Sequence, residues 1–245
     1  MTGALERALA EQEQAWESRP FLRRLYRDWY RLIRDRLAAV DGPIVELGSG
    51  IGRLREIVPD ARLTDVEPTR WADEVVDAEA LPYADGSVGN LLLLDVFHHL
   101  GRPAAFLDEA RRVLRPGGRV VIVDPYCSPL STAAYRAFHH ERTDLGGEPF
   151  EEDAVVSAEP LASNQARTTL AFFRRADEYA RRWPELPVVE RRLLSVADYP
   201  LSGGFSRRPL VPAAAYGGLR TVERLLAPVR RLAAFRCLVV LERGY

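Results

Sequence analysis

Two runs of this chain, Leu91–Leu94 and Val120–Val123, are apolar at every position. A half-exposed strand alternates apolar and polar residues, whereas a short run with no polar side fits a strand buried on both faces. Such strands belong to a mainly parallel sheet with helices packed on each side. The neighbouring segments keep the same rhythm. Ile44–Leu47 follows the turn signal Asp41-Gly42-Pro43, and Arg62–Val66 and Glu74–Val76 read as the next two strands. Between the two apolar runs, Pro103–Leu114 places Phe106, Leu107, Ala110, Val113 and Leu114 on one side of a helix, and Arg115-Pro116-Gly117-Gly118 stops it. Strand and helix in alternation predict an α/β fold.

The flanks are read in the same way. Residues 1–40 predict a helical segment, with Phe21, Leu22, Leu25, Tyr26, Trp29, Leu32 and Ile33 at three- and four-residue steps and Pro20 near its start. In the second half, Ser131–His140, Gln165–Arg182 and Leu219–Leu232 read as helices. Val188–Leu193 and Phe235–Leu241 read as strands, and Leu145–Ser163 and Ser202–Pro212 as loops. No repeat, low-complexity stretch or Pro/Ser linker divides the chain, so a single domain over 1–245 is expected.

Composition excludes several classes of function. A formal net charge of −1 offers no footprint for nucleic acid. Every basic residue among the 34 is Arg, which excludes a Schiff-base lysine and the lysine of an NTPase phosphate loop. Cys127 and Cys237 form no CxxC, so no disulfide framework is indicated and a reducing compartment is expected. The opening MTGALERALAEQEQ lacks an apolar signal core, and no apolar run is long enough to span a bilayer. The expectation is a cytoplasmic protein without a membrane span; its oligomeric state is not legible.

The chemistry is carried by a glycine loop and the acids after it. Glu46-Leu47-Gly48-Ser49-Gly50-Ile51-Gly52 ends the first strand, with a helix expected next. Glycines let the backbone turn sharply and approach a ligand that a Cβ would obstruct. Asp65 ends the following strand, where a carboxylate can accept from both hydroxyls of a ribose. Asp77 ends the third, where it can accept from an adenine amino group.

With these pieces in place, residues 43–124 resemble the class I S-adenosylmethionine-dependent methyltransferases, of the type-11 group that includes quinone-biosynthesis C-methyltransferases. The matching pieces are VELGSGIGR, DVEP, DAEALPYADGS, LDVFHHL, FLDEARRVL and RPGGRVVIVDP. Val88-Gly89 stands where the family commonly has Phe-Asp, and Asp124 where it often has Glu. The resemblance implies a Rossmann-like sheet of seven strands, the last antiparallel, supplied here by Val188–Leu193 and Phe235–Leu241. It divides the single domain into an N-terminal helical segment (1–40), a cofactor-binding core (43–124) and substrate-side elements with the final strands (125–245). It also implies S-adenosylmethionine as cofactor. Glu46, Gly48, Ser49 and Gly50 would hold the methionine portion, with Gly50 and Gly52 giving close backbone approach. Asp65 would hold the ribose, Val66 would pack on the adenine, Asp77 and Ala78 would meet its edge, and Leu94 and Asp95 would flank the methionine end.

The expected reaction is methyl transfer to a small-molecule acceptor. Two alternatives stay open: a cofactor-binding protein that is non-catalytic or repurposed, and a nicotinamide oxidoreductase, whose fingerprint GxGxxG the loop GSGIGR does not match. In open α/β sheets the ligand crevice lies beyond the carboxyl ends of the strands. Two histidine pairs, His98-His99 and His139-His140, follow strands there, and histidine titrates near neutral pH. His99, His139 and His140 are the candidate catalytic residues. Tyr26, Tyr30, His98, Asp124, Tyr126 and Glu141 are the candidate acceptor contacts, with the N-terminal helices as a candidate lid and Tyr199–Phe205 as a further border. No metal site is assigned, because the two pairs have no recognisable ligand spacing.

Overall fold

The computed structural model describes residues 3–138, 141–158 and 162–245. Its strands are β1 (Ile44–Leu47), β2 (Ala61–Asp65), β3 (Glu74–Val75), β4 (Val88–Leu94), β5 (Leu114–Pro125), β6 (Val188–Leu194) and β7 (Arg236–Glu242). They form one sheet in the order β3-β2-β1-β4-β5-β7-β6. The first five pair in parallel, while β7 runs antiparallel to both β5 and β6. This is the seven-stranded arrangement expected from the sequence.

The uniformly apolar runs occupy the middle of the sheet, and their alternate residues enter different cores. Leu91, Leu93, Val120 and Ile122 face a core capped by α3 (Pro103–Val113), where Phe106 and Leu107 are fully buried. Leu92, Val121 and Val123 face the opposite core, capped by α1 (Gly3–Ser18) and α2 (Pro20–Arg34). One polar side chain inside either run would be buried without solvent, which is why both runs contain none.

The N-terminal segment is two helices. Pro20 occupies the first turn of α2, where its missing N–H is not needed, and the chain bends at Arg19. Trp16 of α1 then packs edge-on against Tyr26 of α2, with ring centroids 6.5 Å apart.

Strand β5 begins directly after α3. Val88 pairs with Leu114 and Asn90 with Arg119, so Arg115–Gly118 bulges from within the strand instead of forming a turn before it. Backbones crowd there: a Cβ on Gly118 would lie 2.8 Å from the Gly89 carbonyl oxygen. The helix expected after the glycine loop is only a 3-10 turn, Arg53–Glu56, and Pro59 follows closely enough to prevent continuation.

In the second half, α4 spans Pro129–Phe138 and α5 Ala154–Ala158, the latter within the expected loop. The helix expected over 165–182 divides into α6 (Arg167–Thr169), a π-helical turn (Leu170–Arg174) and α7 (Ala176–Arg182). Its first turn serves the sheet: Thr169 Oγ1 accepts from the Cys127 N–H at 2.8 Å, and Thr168 Oγ1 donates to Asp124. The last helical stretch follows α8 (Asp198–Ser202). It divides at Pro228 into α9 (Tyr216–Leu225), a 3-10 turn and α10 (Arg230–Ala233). Among the described residues no helix is long and apolar enough to cross a membrane.

Candidate active site

The carboxyl ends of β1, β2, β4 and β5 converge on two cavities. Leaving β1, the chain takes left-handed turns at Gly48 (φ +66°) and Gly50 (φ +51°). Gly48 has no room for a side chain, since a Cβ there would lie 2.6 Å from Val96 Cγ2. Asp65 braces the loop by accepting from the Gly50 N–H at 3.0 Å, and burial raises its pKa above the ordinary carboxylate value.

The smaller cavity, about 500 Å³, is lined by Gly48, Val66, Asp77, Ala78, Val96 and His99, among others. Val66 presents an apolar side chain that is 57% exposed. Asp77 uses one carboxylate oxygen to accept from the Glu79 N–H at 2.8 Å. An apolar face beside a carboxylate suits a flat heterocycle with an amino group.

The larger cavity, about 930 Å³, is bounded by α1, the Tyr26 face of α2, the ends of β4 and β5, and the segment from Tyr199 to Pro209. Asp95, just past β4, adopts φ +61° and accepts from the Tyr26 hydroxyl at 2.9 Å. Its other oxygen meets Arg236, the first residue of β7. Arg236 is buried, and its guanidinium lies 4.9 Å from the ring of Trp29 and 4.8 Å from that of Tyr199. Burial lowers the Arg236 pKa, and the carboxylate with the two ring faces offsets part of that penalty.

His98 and His99 sit on a 3-10 turn after β4 with ring centroids 4.2 Å apart. His98 Nδ1 bonds Asp124 Oδ1 at 2.9 Å, and His99 Nδ1 donates to the Ala162 carbonyl at 3.0 Å. Burial pulls the His98 pKa down, but Asp124 and then Glu141 outweigh it and leave the pKa raised. For His99, burial and the adjacent His98 push the pKa down to about 4. His99 therefore stays neutral at physiological pH and is a weak proton acceptor there.

The sequence candidates separate accordingly. Gly48, Val66, Asp77 and Ala78 line the smaller cavity, and Tyr26, Asp95, His98 and Glu141 the larger one. His99 lines both. Alanine and glutamine positions of α1 form part of the larger cavity's wall, as a lid would, and Tyr199 and Phe205 border it. Other candidates act at one remove. Asp124 is fully buried and holds His98 and Thr168. Gly52 gives room to Trp71, whose Cβ would lie 2.9 Å from a glycine Cβ there. Ser49, Leu94 and Glu46 lie outside the lining of both cavities. Glu46 is buried, and burial raises its pKa to about 8.

Two candidate acceptor contacts line neither of these cavities. Tyr30 belongs to the core beside Trp16, and Tyr126 packs on Phe173 at 5.0 Å under the sheet; neither faces a cavity. Tyr30 is on the inward face of α2, and Tyr126, half-buried just past β5, packs against the core at its margin. His139 and His140 lie outside the described residues. Gln165, which the sequence offers as a helix cap or a substrate contact, lines the larger cavity, and so does Arg236, which was not assigned. A charged residue opening an otherwise apolar final strand, Cys237–Leu241, was the available signal for Arg236.

A family model described as a methyltransferase domain matches residues 45–122. The chain is 31% identical over 123 residues to the ubiquinone/menaquinone biosynthesis C-methyltransferase UbiE of Paracoccus denitrificans, covering 41% of this chain and 49% of that protein. It is 25% identical over 175 residues to the demethylmenaquinone methyltransferase of Renibacterium salmoninarum, covering 65% and 68%. The chain spans 22% to 68% of the length of the curated relatives it matches. In fold it resembles a solved complex of the Haloferax volcanii Trm112 methyltransferase activator with a methyltransferase, at TM-score 0.53, 17% identity, and 98% and 96% coverage of the two chains.

Proposed function

We propose that this chain, whose residues 45–122 match the methyltransferase-domain model, is a class I methyltransferase that transfers a methyl group from S-adenosylmethionine to a small-molecule acceptor. The observation that carries the reading is the junction at His99, the side chain that lines both cavities. The smaller cavity suits the adenosyl portion and the larger one the acceptor, so the reacting atoms would meet where the two adjoin.

The residues present fit the cofactor. Gly48 lacks the Cβ that would collide with Val96, and Val66 offers an exposed apolar surface for the adenine. Asp77 and Ala78 line the cavity, where they would meet the adenine edge, and Asp65 holds the Gly50 N–H with one carboxylate oxygen, beside the position a ribose would take. Glu46 Oε2, next to this loop, is buried and makes no hydrogen bond within the protein, a place for a cationic amino group. When bound, S-adenosylmethionine supplies an electrophilic methyl on a sulfonium that becomes a thioether on transfer.

The protein's task is to place the acceptor atom about 3–3.5 Å from that methyl and to exclude water. The helix α1 and the Tyr199–Pro209 segment close the larger cavity from outside. Its volume of about 930 Å³ falls within the range of small-molecule sites.

Calorimetry with S-adenosylmethionine tests cofactor binding, and formation of S-adenosylhomocysteine with a panel of small acceptors tests transfer. Binding without S-adenosylhomocysteine formation would favour a repurposed or non-catalytic protein. Tighter binding of NAD than of S-adenosylmethionine would overturn the assignment. Asp77→Ala is expected to weaken S-adenosylmethionine binding about tenfold, corresponding to roughly 1.4 kcal/mol for a lost polar contact. Unchanged affinity in a folded variant would remove Asp77 from the adenine site.

A further inference from the structure

On the wall of the larger cavity, His98, His99 and Glu141 bring one ligand atom each to within 4.8 Å of one another. They come from two separate segments, the turn after β4 and the chain beyond α4. His98 Nε2 lies 3.7 Å from Glu141 Oε2.

Both imidazoles are oriented from behind. A carbonyl oxygen can only accept, so the bond from His99 Nδ1 to Ala162 puts the proton on Nδ1 and the lone pair of the neutral ring on Nε2. His98 Nδ1 likewise bonds the Asp124 carboxylate. Histidines that bind metals almost always donate their second ring N–H to a carboxylate or a backbone carbonyl, and one example of each occurs here. Asp124 is itself held by Thr168. The third group is positioned as well, since Ser163 Oγ donates to Glu141 Oε2 at 2.8 Å and the Gln165 side chain donates to the same oxygen.

The backbones of the two segments are cross-braced. The Asn164 N–H donates to the His98 carbonyl at 3.0 Å, and the Gln165 N–H to the Arg142 carbonyl at 2.9 Å. Arg167, a buried cation behind this wall, is paired with Asp153 at 3.0 Å.

We infer that His98 Nε2, His99 Nε2 and the Glu141 carboxylate form a three-ligand site for one divalent transition-metal ion, with its remaining positions open to an oxygen donor of the acceptor. Two imidazoles and a carboxylate on one side of an open cavity are the donor set of sites for iron, zinc and similar ions. Donors about 2.0–2.2 Å from such an ion lie roughly 3–3.5 Å apart, so small side-chain rotations bring these atoms into range. Within the cavity the ion would orient the acceptor's oxygen and stabilise negative charge on it. The metal site stands on the side chains alone, and its role toward an acceptor rests on the methyltransferase reading.

The test uses the full chain freed of metal with a chelator. One equivalent of Co²⁺ should bind, develop visible absorption bands and be displaced by Zn²⁺. Glu141→Gln and His99→Ala should each weaken Co²⁺ binding by at least about tenfold while the fold, followed by circular dichroism, is kept. Calorimetry with S-adenosylmethionine is run in parallel. Co²⁺ binding that is lost in both variants supports the site, whether or not S-adenosylmethionine binds. No stoichiometric Co²⁺ or Zn²⁺ binding by folded protein would overturn it and leave His98 as an ion-pair partner of Asp124 and Glu141. Equal affinity in wild type and both variants would overturn it too, by placing the metal elsewhere.

Discussion

At Glu46 a carboxyl group is buried beside the glycine loop with one oxygen making no hydrogen bond within the protein. Burial raises its pKa from 4.5 to about 8. Below pH 4.5 both folded and unfolded chains hold the proton. As pH rises toward 8 the unfolded chain ionises first, so stability falls through that window and levels off above it. The loss is on the order of 4 kcal/mol. Glu46→Gln, which cannot ionise, should flatten this slope, and thermal melts of ligand-free protein at pH 5 and pH 8 measure it; parallel slopes in the two proteins would refute it. Arg236 makes the opposite case, a buried cation already neutralised by Asp95 and two aromatic faces. Arg236→Met leaves Asp95 without that partner and should cost roughly 3–5 kcal/mol, lowering Tm by about 10 °C. A loss below 1 °C would show that Asp95 is satisfied by Tyr26 alone.

Among the elements, α8 owes its position to a residue on another helix. Glu223 of α9 is buried, and its carboxylate accepts from the backbone N–H groups of Val196 at 3.2 Å, Ala197 at 2.5 Å and Asp198 at 2.9 Å. It caps the start of α8 as a side chain from within a capping motif would. The segment that follows carries Tyr199 and Phe205 into the larger cavity. Glu223→Ala should destabilise the protein by about 1–3 kcal/mol. It should also raise the KM of an acceptor more than it lowers kcat, with S-adenosylmethionine affinity unchanged. A parallel loss of cofactor affinity would mean that the two cavities are not separately supported. The elements themselves differ in how legible they were. The central strands were placed by their uniformly apolar runs. The start of β5 was not, because Arg115–Gly118 reads locally as a turn, and it is the flanking Leu114 and Arg119 that pair with Val88 and Asn90 of β4. The long helix expected over 165–182 is interrupted after Thr169, where the chain widens into a π-helical turn closed by the Arg175 N–H on the Leu170 carbonyl.

For the molecule as a whole, the sheet separates two apolar cores and leaves its carboxyl edge as the one place where β1, β2, β4 and β5 all end near open space. Cofactor bound across that edge should stabilise the entire fold by mass action. At a concentration one hundred times Kd the gain is about 2.7 kcal/mol, a rise in Tm of roughly 5–10 °C. Differential scanning calorimetry with S-adenosylhomocysteine reads it, and a melting temperature indifferent to the ligand would contradict binding at this edge.

The sequence by itself determined the alternation of strands and helices, the glycine loop, and the acids that end β2 and β3. Each of these is encoded within a few residues, by the period of apolar positions or by a backbone angle that glycine adopts freely. Only the tertiary structure decided which polar groups meet. Asp95 follows β4 and Arg236 opens β7, two strands distant in the chain and separated in the sheet by β5, and Glu141 reaches His98 through a segment without a clear period. Such meetings depend on how whole elements pack and on burial that forces each charge to find a partner. The same packing put Tyr30 in the core and Tyr126 against Phe173, and brought His98, His99 and Glu141 onto one wall.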